Sequence, residues 1–423
     1  MATPTTTRGA EAPASILRQP KSVWAVAFAC VIAFMGIGLV DPILPAISAE
    51  LGATTAETEL LFTSYLLVTG LAMFFTSFVS SRIGAKPTLL VGLALIVVFA
   101  ALAGASGSVN EVIGFRAGWG LGNALFVATA LATIVMSAKG STGQAIVLFE
   151  AALGIGIASG PLIGGILGEQ SWRAPFFGVS VLMVVALVAT AILLPSTPPT
   201  GRRTSLADPF KALTHKPLLV VAVTAIFYNI GFFTILAAGP FALPGLGIIE
   251  IGWVYFGWGL LVALVSVVVA PVVQRAIGTV PAILATLVLF TADLAVMAVW
   301  ADNPTVVVVG IIASGAFIGS NNTLITEAVM GAAPVERPVA SAAYSFVRFT
   351  GGAVGPYVAL RLFGSEAAPH VHAPFWFGAA MVAIGVVVLA VGGRTVAATT
   401  RHEESPEEAQ RDEAEAVLVG DLD

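Results

Sequence analysis

Residues 154–168 read GIGIASGPLIGGILG. Wound as an α-helix, residues four apart share a face, so Ala152, Gly156, Gly160, Gly164 and Gly168 form one ridge without bulky side chains. In water each Gly would cost such a helix about 1 kcal/mol relative to Ala. In lipid, where small residues let helix backbones approach and packing drives association, the same ridge is an interface. Pro161, inside the ridge, removes one backbone donor and is expected to kink the segment.

The rest of the chain favours lipid. It is 57% hydrophobic and 10% charged, against roughly 25% charged in soluble domains. Twelve apolar runs of spanning length fit within it, which predicts an all-α polytopic membrane protein. The expected helices cover 22–48, 58–81, 87–107, 111–137, 143–169 and 174–194, then 218–240, 250–273, 280–301, 304–329, 338–363 and 373–393. These make two six-helix halves, 22–194 and 218–393. Between them, 195–217 is rich in Pro, Thr and Arg and reads as a linker, with Asp208 to Leu213 as a short amphipathic surface helix.

Residues 1–21 lack an apolar core and are expected to be disordered; the first apolar run is too long for a signal peptide and is expected to be retained. The tail 394–423 carries Glu403, Glu404, Glu407, Glu408, Asp412, Glu413 and Glu415 and reads as a solvated, disordered end. It supplies much of the net charge of −5, which therefore gives no indication of nucleic-acid binding. Placing both termini and the linker on one side gathers about 15 of the 19 Lys and Arg there, which makes that side cytoplasmic. The single cysteine, Cys30, can form no intramolecular disulfide and reads as packing.

The halves resemble each other. Gly84, Pro87, Leu90, Leu93 and Leu95 recur as Gly278, Pro281, Leu284, Leu287 and Leu289, and Gly160-Pro161 recurs as Gly355-Pro356. A constant offset of about 194 or 195 residues points to a duplicated six-helix unit.

The pattern made by Gly156, Gly160, Pro161, Gly164 and Gly165 resembles the fifth-helix antiporter motif of drug:proton exporters in the major facilitator superfamily. RAGWGLG, with Arg116, Gly120 and Gly122, resembles that family's fourth-helix motif, with Trp119 in place of the usual Gln. SFVSSRIGAK resembles its loop signature between helices two and three. It keeps Arg82, Gly84 and Lys86, but Ser77, Ser81 and Ala85 stand where the family has Gly, Asp and Arg. The loop therefore reads mainly as a turn and anchor. The resemblance covers about residues 22–394 and implies a major facilitator fold whose halves rock about a central site.

A charge at the bilayer centre costs about 2.5–3.5 kcal/mol on insertion scales, so embedded ionisable groups are functional candidates. Asp41 sits in GIGLVDPILP, which resembles the first helix of drug exporters, where an embedded acid couples protons. Its other reading is a structural partner or interfacial cap. Arg116 falls at a similar depth, so the two can pair, and Asn123 continues the Arg116 face. Glu150 faces away from the glycine ridge, as a proton or substrate site or as an interfacial side chain reaching water. Ser320, Thr323 and Glu327 form one polar stripe beside Asn321 and Asn322, and Ser341, Tyr344, Ser345 and Arg348 form another. Glu327 and Arg348 are expected to pair as a gating or structural ion pair. Tyr228, Asn229, Asn123, Asn321, Asn322 and Tyr344 are candidate cavity residues, as are the aromatics Phe232, Phe233, Tyr255 and Trp258; packing is the competing reading. Asp293, mid-helix, is expected to have a local partner.

Catalytic chemistry has little footing. His215, His370, His372 and His402 fall in expected loops or tail, and no phosphate loop or metal-ligand spacing occurs. No cofactor, metal or nucleic acid is expected. The resemblance implies a monomeric plasma-membrane carrier exchanging a hydrophobic or amphipathic compound for protons. A carrier of one metabolite, such as a sugar, amino acid or natural product, is the nearer alternative; a non-transporting sensor is the remote one.

Overall fold

The computed structural model describes residues 19–40, 43–53, 55–139, 141–196, 205–332, 337–365 and 368–420. Helices α1 (Lys21–Gly38), α2 (Leu44–Leu51), α3 (Thr55–Ile83), α4 (Ala85–Ala105), α5 (Val109–Ser137), α6 (Thr142–Gly168) and α7 (Ala174–Leu193) build the first half. The linker helix α8 (Asp208–Leu213) occupies the span expected of it. Helices α9 (Lys216–Ala238), α10 (Ile248–Leu264), α11 (Ala270–Ile277), α12 (Thr279–Val299), α13 (Pro304–Ala332), α14 (Arg337–Phe363) and α15 (His372–Gly420) build the second. A two-residue antiparallel pair, β1 (Gly364–Ser365) with β2 (Ala368–Pro369), joins α14 to α15.

Among the described residues, eleven spans are long and apolar enough to cross a membrane. The remaining expected span, α14, has 27 residues but is diluted by the polar stripe ending at Arg348. Outward-facing side chains such as Ile192 (74% exposed) and Val391 (81%) are apolar, as lipid contact requires.

Three boundaries differ from the sequence reading. The first expected helix is two, α1 and α2; the sequence between them carries Pro42, a residue type that cannot donate a helical hydrogen bond. The α10 and α11 segments join through a π turn, Val265–Val269, which absorbs the missing donor of Pro271. The acidic tail, expected to be disordered, continues α15 to Gly420. That stretch is rich in Ala, Glu, Gln and Arg, which are strong helix formers.

The glycine ridge packs on α1. A Cβ on Gly156 would lie 2.5 Å from the Val31 carbonyl oxygen, and one on Gly160 would lie 2.6 Å from that of Met35. Gly164 and Gly168 continue against Leu39 and Ile43. Both helices thus mesh rows of four-residue spacing, backbone against backbone. The second half repeats this register. Gly351 and Gly355 of α14 abut the carbonyls of Ile226 and Ile230 on α9, at 2.8 and 2.7 Å from a Cβ, every contact shifted by the same offset of about 195 residues. The repeat extends to the loops, where Gly84 (φ 91°) and Gly278 (φ 84°) hold left-handed backbone before α4 and α12.

The helix pairs α6–α10 and α3–α14 pack the halves together. A Cβ on Gly154 of α6 would lie 2.9 Å from Val262 Cγ1 of α10, and one on Gly70 of α3 would lie 3.2 Å from the Thr350 nitrogen of α14. At the end that carries the linker, Phe74 of α3 contacts Phe346 of α14 (ring centroids 3.7 Å) and stacks on Phe210 of α8 (3.9 Å). There Ser341 Oγ also donates to the Ala128 carbonyl across the halves at 2.8 Å. The linker helix is therefore packed onto the seam it connects.

Candidate functional site

The central polar cluster has one residue from the first half and the rest from the second. Glu150 of α6 is fully buried. Its Oε1 accepts from Arg348 Nη1 of α14 at 3.3 Å and lies 3.0 Å from Thr326 Oγ1 of α13. Thr326 Oγ1 in turn lies 3.3 Å from the Tyr344 hydroxyl. Tyr228 of α9, beside Tyr344, donates to Asn322 Oδ1. Tyr344, Thr326, Glu150 and Arg348 form one buried chain, and Tyr228 with Asn322 extends it toward α9. Moving a charge from water to such an interior costs several kcal/mol, which only a close partner and further hydrogen bonds offset. Arg348 and Thr326 supply both for Glu150.

Helix geometry explains this pairing. Glu150 lies about two turns, and Arg348 about three turns, from the linker-end starts of their helices. Glu327 lies near the linker-end terminus of α13, roughly 9 Å shallower than Arg348 at 1.5 Å per residue. The expected Glu327–Arg348 pair is thus corrected to Glu150–Arg348. Glu327 is half-buried, with Oε1 3.5 Å from where a Cβ on Gly143 would be.

Asp41 lies outside the described residues. Arg116, its expected partner, is fully buried, with Nε donating to the Leu61 carbonyl at 3.0 Å and Nη1 to that of Gly36 at 3.3 Å. Tyr65 and Trp119 cover the guanidinium at 4.6 and 5.3 Å from their ring centroids. Trp119, where the family motif carries Gln, therefore adds a cation–π wall and fills the space beside Gly36.

The amides divide. Asn322 joins the cluster, whereas Asn321, about 100° around the helix, accepts from Thr286 Oγ1 of α12 at 2.8 Å and so turns away from it. Asn229 donates to its own helix at Ala225 (2.8 Å) and packs beside Gly351. Asn123 is fully buried, and its amide makes no hydrogen bond among the described residues. Trp258 stacks on Phe232 (5.6 Å, 14°), and Phe233 meets Phe62 across the halves (6.5 Å). Tyr255 donates to the Ile235 carbonyl at 2.9 Å and serves packing. In the loop motif, Arg82 folds onto Phe78 of its own helix, 3.4 Å from the ring centroid, consistent with an anchor. The partner expected for Asp293 is not found among the described residues: its buried Oδ2 makes no hydrogen bond there, and Oδ1 lies in the groove beside Gly310.

The duplicated fold has a counterpart in known proteins. The model for the Major Facilitator Superfamily matches residues 26–248 and 231–420, one match for each half. The chain belongs to the Major Facilitator Superfamily. Within it, the multidrug efflux protein YfmO of Bacillus subtilis is 54% identical over 382 residues, spanning 90% of this chain and 96% of that protein. The tetracenomycin C resistance and export protein of Streptomyces glaucescens is 33% identical over 191 residues, 44% of this chain and 35% of that protein. The human organic anion transporter MFSD10 shares the fold, with TM-score 0.73 at 17% identity, over 87% of this chain and 99% of that one. This facilitator is accordingly a multi-pass membrane protein of a small-molecule transporter family.

Sequence reasoning missed Thr326 of this facilitator. The signal available was its spacing of four from Asn322. It was masked because residues 320–327 place polar groups on every face of α13, so no stripe stands out.

Proposed function

We propose that this chain is a proton-driven efflux transporter of hydrophobic and amphipathic compounds, in the plasma membrane as a monomer with both termini cytoplasmic. The observation that carries the reading is the Glu150–Arg348 pair, a buried carboxylate of one half held by a guanidinium of the other. A proton on Glu150 removes the charge that attracts Arg348 and loosens the halves at the linker, cytoplasmic end. Loss of the proton restores the attraction and closes that end. Substrate binding that favours the ionised carboxylate expels the proton, so that one carboxylate serves proton and substrate in turn. The rocking of two halves about a midplane site is the alternating access their duplication suits. The name of the Bacillus relative, a multidrug efflux protein, supports the direction and the breadth.

Asp41, the partner that the sequence suggests for the buried Arg116, is a second coupling acid in this reading. Asp41→Asn is expected to abolish proton-driven efflux while leaving the protein folded and inserted, as measured by efflux and by detergent size-exclusion profile. Normal efflux would remove Asp41 from the coupling path.

The whole reading is tested in energised inverted vesicles. Chemically unrelated amphipathic compounds, charged and uncharged, are added while lumenal pH is followed. Protein-dependent proton release by several of them is expected, and silence across the set would overturn it. The export protein for tetracenomycin C among its relatives supports a second reading, a natural-product exporter, for which a single responsive compound would be the sign.

A further inference from the structure

We propose that the central cluster selects uncharged aromatic ligands that carry a hydrogen-bond donor beside an acceptor, as in an amide or hydroxy-carbonyl group, and rejects permanent cations. The inference rests on the exchange reading above and names the substrate class of that site.

Charge comes first. Among the described residues of the cluster, Glu150 is the one carboxylate and Arg348 the one guanidinium, 3.3 Å apart. A permanent cation entering here meets Arg348 as closely as Glu150, gains almost no net attraction and still loses its water. Protonation of Glu150 makes matters worse for a cation, since Arg348 is then uncompensated.

The unspent hydrogen-bonding groups then define the ligand. Glu150 Oε2 is an acceptor, and Arg348 Nη2 and Asn322 Nδ2 are donors. All three are buried, and none makes a hydrogen bond among the described residues. Asn322 lies one turn from Thr326 on α13, about 5–6 Å away, and Thr326 touches Glu150. An acceptor and two donors thus border one locus. A group with an N–H or O–H next to a carbonyl satisfies the carboxylate and a donor together. Tyr228 and Tyr344 supply aromatic faces beside it.

This chemistry also gives exchange without ligand charge. A ligand N–H or O–H on Glu150 Oε2 stabilises the carboxylate form, so binding displaces the proton. The other titratable and charged groups near Glu150 are Arg348 and Tyr344 from α14, Tyr228 from α9 and Cys30 from α1. Glu327 of α13 is turned to Gly143, at the linker end. From α10, Val262 and Gly259 face Gly154, and the charges of α5, Glu111 and Arg116, sit toward its opposite end.

The test is equilibrium binding to the purified full chain in detergent, with no gradient, so that failure of proton exchange and failure of this selectivity are read separately. The probes are 2-naphthamide, its N,N-dimethyl derivative, which lacks the donor, and the similarly sized permanent cation N-methylquinolinium. The naphthamide is expected to bind at least tenfold more tightly than either. Arg348→Gln leaves Glu150 without its cation and is expected to raise N-methylquinolinium affinity at least tenfold. Equal affinity of the wild-type protein for the cation or the dimethyl amide, or binding of none of the three, overturns the proposal. That wild-type comparison decides the matter even where the variant fails to fold.

Discussion

Glu150→Gln is expected to lower proton-driven efflux about 100-fold or more, to the background of vesicles without the protein, because the coupling carboxyl can no longer titrate inside the membrane. The substituted amide keeps a carbonyl that accepts from Thr326 and Arg348, so the fold should survive. Its destabilisation should fall below the about 3–5 kcal/mol of breaking a buried pair outright. Electrically the variant mimics protonated Glu150. Its linker end should open, read as a longer distance between spin labels placed on α5 and α14 near the Ala128–Ser341 contact. Wild-type efflux from this variant would remove Glu150 from the coupling path.

The second large effect is structural. Gly160→Leu puts an isobutyl group where even a Cβ would stand 2.6 Å from the Met35 carbonyl. The neighbour is backbone of a helix fixed along its length by the same ridge, so no rotamer change relieves it. Overpacking costs about 1–3 kcal/mol in deformable cores, and this contact belongs at or beyond the upper end. Loss of monodisperse protein in detergent, or a clear fall in Tm, is expected. Gly355→Leu should behave alike, because α14 and α9 repeat the register of α6 and α1. Unimpaired assembly of either variant would mean that the helix pairs do not meet as described.

What was legible in the sequence is what helix geometry alone dictates. The four-residue spacing from Gly156 to Gly168 implied a close helix contact, and the Gly160-Pro161 recurrence at Gly355-Pro356 implied its repetition. The family followed from those motifs. The identity of the partner in each contact was not legible, because it depends on how helices distant in sequence are rotated and how deep each side chain sits. Arg348 was matched to Glu327, on the next element in the chain, when the acid at its depth was Glu150 in the other half. Asn321 and Asn322 are adjacent in sequence and look alike there, but helical rotation gives one to α12 and the other to the cluster. The sequence shows Pro42 and Pro45 inside the first apolar run, residues that interrupt helical hydrogen bonding, but run length alone gave one helix over 22–48 where the structure has α1 and α2.

The central claim is that one carboxylate, Glu150, yields its proton when substrate binds. Purified protein in weakly buffered detergent solution, given a compound that the vesicle assay identifies as transported, should release protons detectable with a pH indicator, and Glu150→Gln should release none under the same conditions. Undiminished release from that variant would contradict the account and assign the exchanged proton to another group.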